Sequence, residues 1–271
     1  MAMSRRRCLT TSLGVALSAW WEVGCGVDRD PDKRVLAHVT STVPARTTDP
    51  PAADDNEPPS LADLYALRTG PAPMGADQCT LTVHDIGPLT VLSGRVEASD
   101  PFVSLGRGLV VSVASGQIPV VLTVAEVPYP NGDTELRNAY LSLVFSDDPP
   151  VMVENVTPEG KPPAPPGKIY GVSVDSGLAG FVDAQAVAQV PDDIDTTVLE
   201  TGRPGAWIDL FSKDPRIPKY ANTVVPFAPD HQNIVFCESG WGDGFCPLLA
   251  TRTDDGRMTA LHLDFGVVYR D

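Results

Sequence analysis

The chain has 271 residues, of which 42% are hydrophobic and only 20% charged, with 27 prolines and 23 glycines. That is enough apolar material for one large or two small cores, and the Pro and Gly content argues against an all-helical fold. A formal net charge of −15 repels phosphate backbones and anionic lipid alike, which disfavours nucleic-acid binding and charge-driven membrane docking.

The N-terminus reads as an export signal over residues 1–25. Arg5-Arg6-Arg7 precede a mostly apolar run from Leu9 to Trp21, and the segment closes at Val23-Gly24-Cys25. A positive start, a short apolar stretch and a small residue before a cysteine are the layout of a secretory signal. The run is shorter than the roughly 20 apolar residues that a membrane-spanning helix needs. Ser4 to Thr10 resembles the twin-arginine export motif, with Cys8 in place of the usual Phe. Val23-Gly24-Cys25 resembles the end of a lipobox, in which Cys25 would be acylated, although Glu22 stands where an aliphatic residue is usual. The expected location is therefore the bacterial cell envelope, as a periplasmic or cell-surface lipoprotein held to the membrane through Cys25.

Residues 26–59 are rich in Pro, Thr, Asp and Ala without apolar periodicity, the composition of a disordered tether. Ser60 with Asp63 three residues on is a variant capping box, and Leu61, Leu64, Tyr65 and Arg68 share a helical face, so a short helix is expected up to Gly70-Pro71. Strand patterns follow at Leu81 to His84, Leu89 to Ala98 (with a bulge at Ser93-Gly94) and Leu109 to Ala114. Pro119 to Val127 and Leu136 to Phe145 alternate on either side of Asn131-Gly132, a hairpin signal. Further strands are expected at Val151 to Val156, Ile169 to Asp175, Asn233 to Glu238, Phe245 to Arg252 and Met258 to Val268, with a second helix at Asp183 to Val190. Residues 60–271 thus read as a single mainly-β domain, a β-sandwich or open barrel of about 10–13 short strands with one or two short helices.

Three cysteines, Cys79, Cys237 and Cys246, lie in this domain. Cys237 and Cys246 flank what reads as a hairpin loop, and an exported location permits a disulfide across it, leaving Cys79 unpaired. No cysteine or histidine spacing indicates zinc. The aspartates beside glycines invite three chemical readings. Asp175, Asp183, Asp243 and Asp264 could serve as carboxylate acid and base in a hydrolase, or satisfy turn amides. Clustered aspartates could hold calcium, but no Asp-x-Asp-x-Asp-Gly run is present, and Asp192-Asp193-Ile194-Asp195 reads as a solvated loop. Asp175-Ser176-Gly177 echoes the nucleophile turn of chymotrypsin-like proteases, but the oxyanion glycine and a catalytic-histidine motif at His84 are missing. His84, His231 and His262 read as ordinary strand or loop residues, with His262 and Asp264 on one strand face. Trp207 reads as core, and Trp241, in Gly240-Trp241-Gly242-Asp243-Gly244, either packs over one end of the domain or presents an aromatic to a sugar or partner.

Taken in order, Ser93-Gly94-Arg95 with Asp100-Pro101, Gly116 to Val120, Val174 to Asp183, Gly242-Asp243-Gly244 and Asp264-Phe265 resemble the bacterial family catalogued as domain of unknown function 4241, over roughly residues 60–270. The resemblance implies no activity and draws attention to Arg95 and Asp100, with Trp241, as binding residues. The expected function is an envelope domain that binds a ligand or protein partner, with a carboxylate-based hydrolase, metal-assisted or not, as the alternative. No metal site or other cofactor is expected.

Overall fold

The computed structural model describes residues 58–188, 210–225 and 228–270. The export signal with Cys25, most of the tether, Asp192 to Asp195 and Trp207 lie outside the described residues. Thirteen strands are described, and the fold is mainly β. The larger sheet holds β1 (Gly70–Met74), β2 (Asp77–Val91), β5 (Gly116–Pro128), β6 (Thr134–Val144), β13 (Met258–Asp264), β12 (Gly244–Arg252) and β7 (Met152–Asn155) in that spatial order, with β8 (Gly171–Val174) also paired to β12. The smaller sheet runs β10 (Tyr220–Val224), β11 (Asn233–Glu238), β9 (Leu178–Asp183), β3 (Arg95–Ser99), β4 (Leu109–Ser112). All ladders are antiparallel, and the larger sheet curls into a half-barrel, helped by irregularities at Asp85/Pro88, Thr123/Val124 and Thr251/Arg252.

The two sheets enclose one core. Leu89, Val91, Val120, Leu122, Leu141, Leu143, Leu261 and Leu263 come from the larger sheet, and Val96, Phe181, Val235 and Cys237 from the smaller. The smaller sheet is buried on its other face as well. There Val182, Ile234 and Phe236 meet Phe102, Leu105 and Phe211, with Phe236 edge-on to Phe102 and Phe211 at 6.0 and 5.7 Å between ring centres. Burial on both faces explains why β9 and β11 read as continuous apolar runs rather than alternating ones.

Several expectations need correction. Residues 60–68 form turns, not a helix: Ser60 caps Asp63 and Leu64, but the chain then opens, and Leu67 takes a φ of +62°. Residues 184–188 are likewise turns. Ser93-Gly94 is a tight turn that carries the chain from the larger sheet to the smaller, so the expected Leu89 to Ala98 strand is two strands. The loop after Cys237 is not a hairpin either, because β11 and β12 belong to different sheets. Cys237 and Cys246 are free, buried thiols, as is Cys79. Burial pushes the Cys246 thiol up to about 12 and raises Cys237 and Cys79 as well.

Candidate functional site

Of the residues singled out from the sequence, Asp100, Asp175, Trp241 and Asp243 gather where the chain crosses twice between the sheets. One crossing is Asp175 to Gly177, from β8 to β9; the other is Ser239 to Asp243, from β11 to β12. They lie side by side. The Ser239 amide donates to the Gly177 carbonyl at 3.0 Å, and a side chain on Gly177 would touch the Gly242 Cα. Gly240, at a φ of +63°, admits no side chain: a Cβ there would lie 2.8 Å from Val267 and 3.0 Å from Phe265.

Asp100 builds this corner. It is fully buried, and its Oδ2 accepts the amides of Asp175 and Ser176, each at 2.9 Å. Its Oδ1 accepts the Ser176 hydroxyl at 2.6 Å and the Phe102 amide at 3.0 Å. Both oxygens are thus engaged by the protein itself, as expected of a buried carboxylate. Asp183 does the same at the other end of β9, accepting the Leu92 amide, the Ser93 amide at 2.8 Å and the Gln185 amide at 2.7 Å. It thereby holds the turn between β2 and β3. Arg95 lies apart from the corner, half-exposed, and pairs with Glu159 at 2.7 Å.

The remaining candidates divide between surface and interior. Asp175 and Asp243 are exposed and stand one residue beyond the last β8–β12 pair, Val174 with Gly244. Trp241 is 49% exposed and Phe245 52%. The Arg137 guanidinium lies 5.0 Å from the Trp241 ring centre, donates to the Gly240 carbonyl at 3.1 Å and pairs with Glu135 at 2.7 Å. Asn138 reaches across the sandwich to donate to the Glu238 carbonyl at 3.0 Å. The outer side of the corner therefore carries Trp241 and Asp243 on one braced crossing and Asp175 on the other, with Phe245 following on β12, its ring tip against Gly171. Asp264 is partly buried, accepts the Gly266 amide at 2.9 Å, and is pushed up to about 6 by burial. Among the described residues, no group of three or more His, Cys, Asp or Glu side chains gathers as a metal site.

A second polar constellation was invisible in the sequence. On the face of the larger sheet away from the core, His262 is buried between the Ser142 hydroxyl, 2.8 Å from Nδ1, and the Thr251 hydroxyl, 3.3 Å from Nε2. Thr259 donates to Thr251 at 2.7 Å. Burial draws His262 down to about 3, so the ring is neutral at physiological pH. Ser142 and His262 are cross-strand neighbours on β6 and β13, a register that only the sheet reveals. Residues 61–68 lie over this row, with Leu64 buried and the Leu67 amide donating to Thr123 at 2.9 Å.

The family described as Protein of unknown function (DUF4241) matches residues 89–263. The chain belongs to this family. The DUF4241 match runs from the second half of β2 through β13, so it holds both crossings, Asp100 and the His262 row, while residues 61–68 and β1 lie outside it. No curated protein and no solved structure matches the chain.

Proposed function

We propose that this DUF4241 protein is an exported, lipid-anchored envelope protein whose β domain binds a ligand or protein partner, with the double crossing as its binding face. The observation that carries the reading is the half-exposed Trp241, held on a braced loop with Asp243, and the exposed Phe245 that follows on β12. Exposed aromatics on a rigid frame bring large contact area at little entropic cost, the usual equipment of a recognition surface. The Arg5-Arg6-Arg7 and Val23-Gly24-Cys25 signals support export and anchoring.

The hydrolase reading draws support from Asp175 and Asp243, each exposed and one residue beyond the Val174–Gly244 pair. Against it, Asp100 and Asp183 are committed to backbone amides, and Asp264 to that of Gly266.

A thermal-shift screen of the full chain against sugars, peptidoglycan fragments and metal ions, with and without chelator, tests the binding reading. A rise in Tm with a glycan that Trp241→Ala abolishes is the expected result. Turnover of a glycan, lost in Asp175→Asn or Asp243→Asn, would replace it with the hydrolase. For the anchor, Cys25→Ala should move the chain from the membrane fraction to the soluble one; retention in the membrane would reject acylation there.

A further inference from the structure

We infer that the cleft between residues 61–68 and the 144–150 loop is a binding site for a small uncharged molecule with an apolar body and a single hydroxyl or carboxamide head. The cleft measures about 460 Å³, within the range of small-molecule sites. Its walls are mostly apolar, with Leu61, Leu64, Leu67, Val144, Pro149 and Pro150, beside the polar Arg68, Ser146, Asp147 and Asp148. Its floor is polar: Thr251, Thr259 and His262 line it, each less than 5% exposed. An apolar chamber ending in a few buried hydrogen-bonding groups is the usual build of a pocket that orients one polar head.

Proton counting defines that head. Thr259, Thr251, neutral His262 and Ser142 carry three hydroxyl protons and one ring proton and share three contacts. One donor is left over, at Thr251 or Ser142 according to the ring tautomer. Thr259, having donated to Thr251, keeps its acceptor lone pairs. With Nε2 protonated the spare donor is Thr251, so the floor offers both an acceptor and a donor, which suits a hydroxyl or an amide; with Nδ1 protonated it is Ser142, which does not line the cleft. An ionised head against Thr251, Thr259 and His262 would be desolvated among neutral groups. Of the charged groups on the lining, Asp148 pairs with Arg257 at 3.0 Å, while Arg68 donates to the Leu61 and Ala62 carbonyls, bonds that fix its guanidinium without cancelling its charge. Asp147, at the same cleft, would further repel an anion. The floor belongs to the span matched by DUF4241, whereas the wall at 61–68 lies outside it.

The experiment titrates the full chain, ¹³C-labelled at histidine, with octan-1-ol, octanoate and octylamine, which share one tail and differ in head charge. Octan-1-ol should shift the His262 ring signals saturably and leave those of His84 and His231 in place, with the two ionised probes at least tenfold weaker. Thr259→Val should weaken octan-1-ol about fivefold, the loss of one neutral hydrogen bond, and Thr259→Ser should restore it. Ala66→Leu, which fills the cleft, should abolish the shift, and Leu61→Trp serves if that variant does not fold. Trp241→Ala should change nothing, which separates this site from the crossing face. The inference is overturned by the absence of a saturable His262 shift, by equal affinity for an ionised probe, or by a shift that survives filling the cleft in a folded variant.

Discussion

At the scale of single residues, the aspartates separate by what they face. Asp100 is spent on two amides of the β8–β9 crossing, a hydroxyl and its own turn. Asp100→Asn replaces one acceptor oxygen by a donor and leaves buried amides unpaired, and should cost about 2–3 kcal/mol in chemical denaturation. A variant as stable as the parent would show that the corner tolerates the mismatch. His262 and Asp264 predict a pH effect of opposite signs. Native Asp264, raised from 3.8 to about 6, keeps a proton between those values that the unfolded chain has lost, so its contribution falls as pH rises. Native His262, drawn from 6.5 to about 3, lacks a proton that the unfolded chain binds across that window, so its contribution rises with pH. Between about pH 4 and 6 the two oppose, each by at most about 1.4 kcal/mol per pH unit. Relative to the parent, Asp264→Asn should therefore gain stability more steeply with pH in that window, and His262→Gln less steeply. Urea titrations at pH 4, 5 and 6 measure the slopes, and identical slopes in all three proteins would refute the assignment. The sequence placed His262 and Asp264 on one strand face correctly. It could not pair His262 with Ser142 and Thr251, which are 120 and 11 residues away.

At the scale of elements, most strands were legible because alternation and turn chemistry are local. The Asn131-Gly132 hairpin between β5 and β6 is the clearest case, with the Gly132 amide returning to the Tyr129 carbonyl. β9 was hidden because Leu178-Ala179-Gly180-Phe181-Val182-Asp183 is buried on both faces and carries a glycine, so it shows no period of two. Gly180 is required there: a Cβ would stand 2.5 Å from the Val235 carbonyl oxygen and 2.6 Å from the Phe236 Cβ. Gly180→Ala should cost about 1–3 kcal/mol by overpacking between β9 and β11, read as a lower denaturation midpoint with unchanged slope. An unchanged midpoint would mean that β11 can shift aside. The capping signature at Ser60 formed its local contacts, the Ser60 hydroxyl meeting Asp63 at 2.6 Å, yet no helix propagated. A single turn gains little alone, and here the chain extends to lay Leu64 into the core and Leu67 against Thr123.

For the whole molecule, the covering segment is clamped at both ends of the domain sequence. Arg270 pairs with Asp63 at 3.1 Å and donates to the Tyr65 hydroxyl at 3.2 Å, so the last residues hold down the first. Exposed pairs of this kind contribute little, which leaves Leu64 as the main anchor. Leu64→Ala should cost about 2 kcal/mol and speed hydrogen exchange at the Leu67 amide more than at the β6 and β13 amides. Equal acceleration throughout would show that the segment unfolds only with the sheets. What the sequence by itself determined is the composition-level and local content: a mainly-β domain, most strand positions, the hairpin turn and membership of a recognisable family, because propensity, alternation and turn residues act over a few neighbours. What the tertiary structure decided is which sheet each strand joined, the two adjacent crossings pinned by Asp100, and the His262 row beneath residues 61–68. Those depend on register and burial between residues 120 and more positions apart, and a chain read in order carries no measure of such distances.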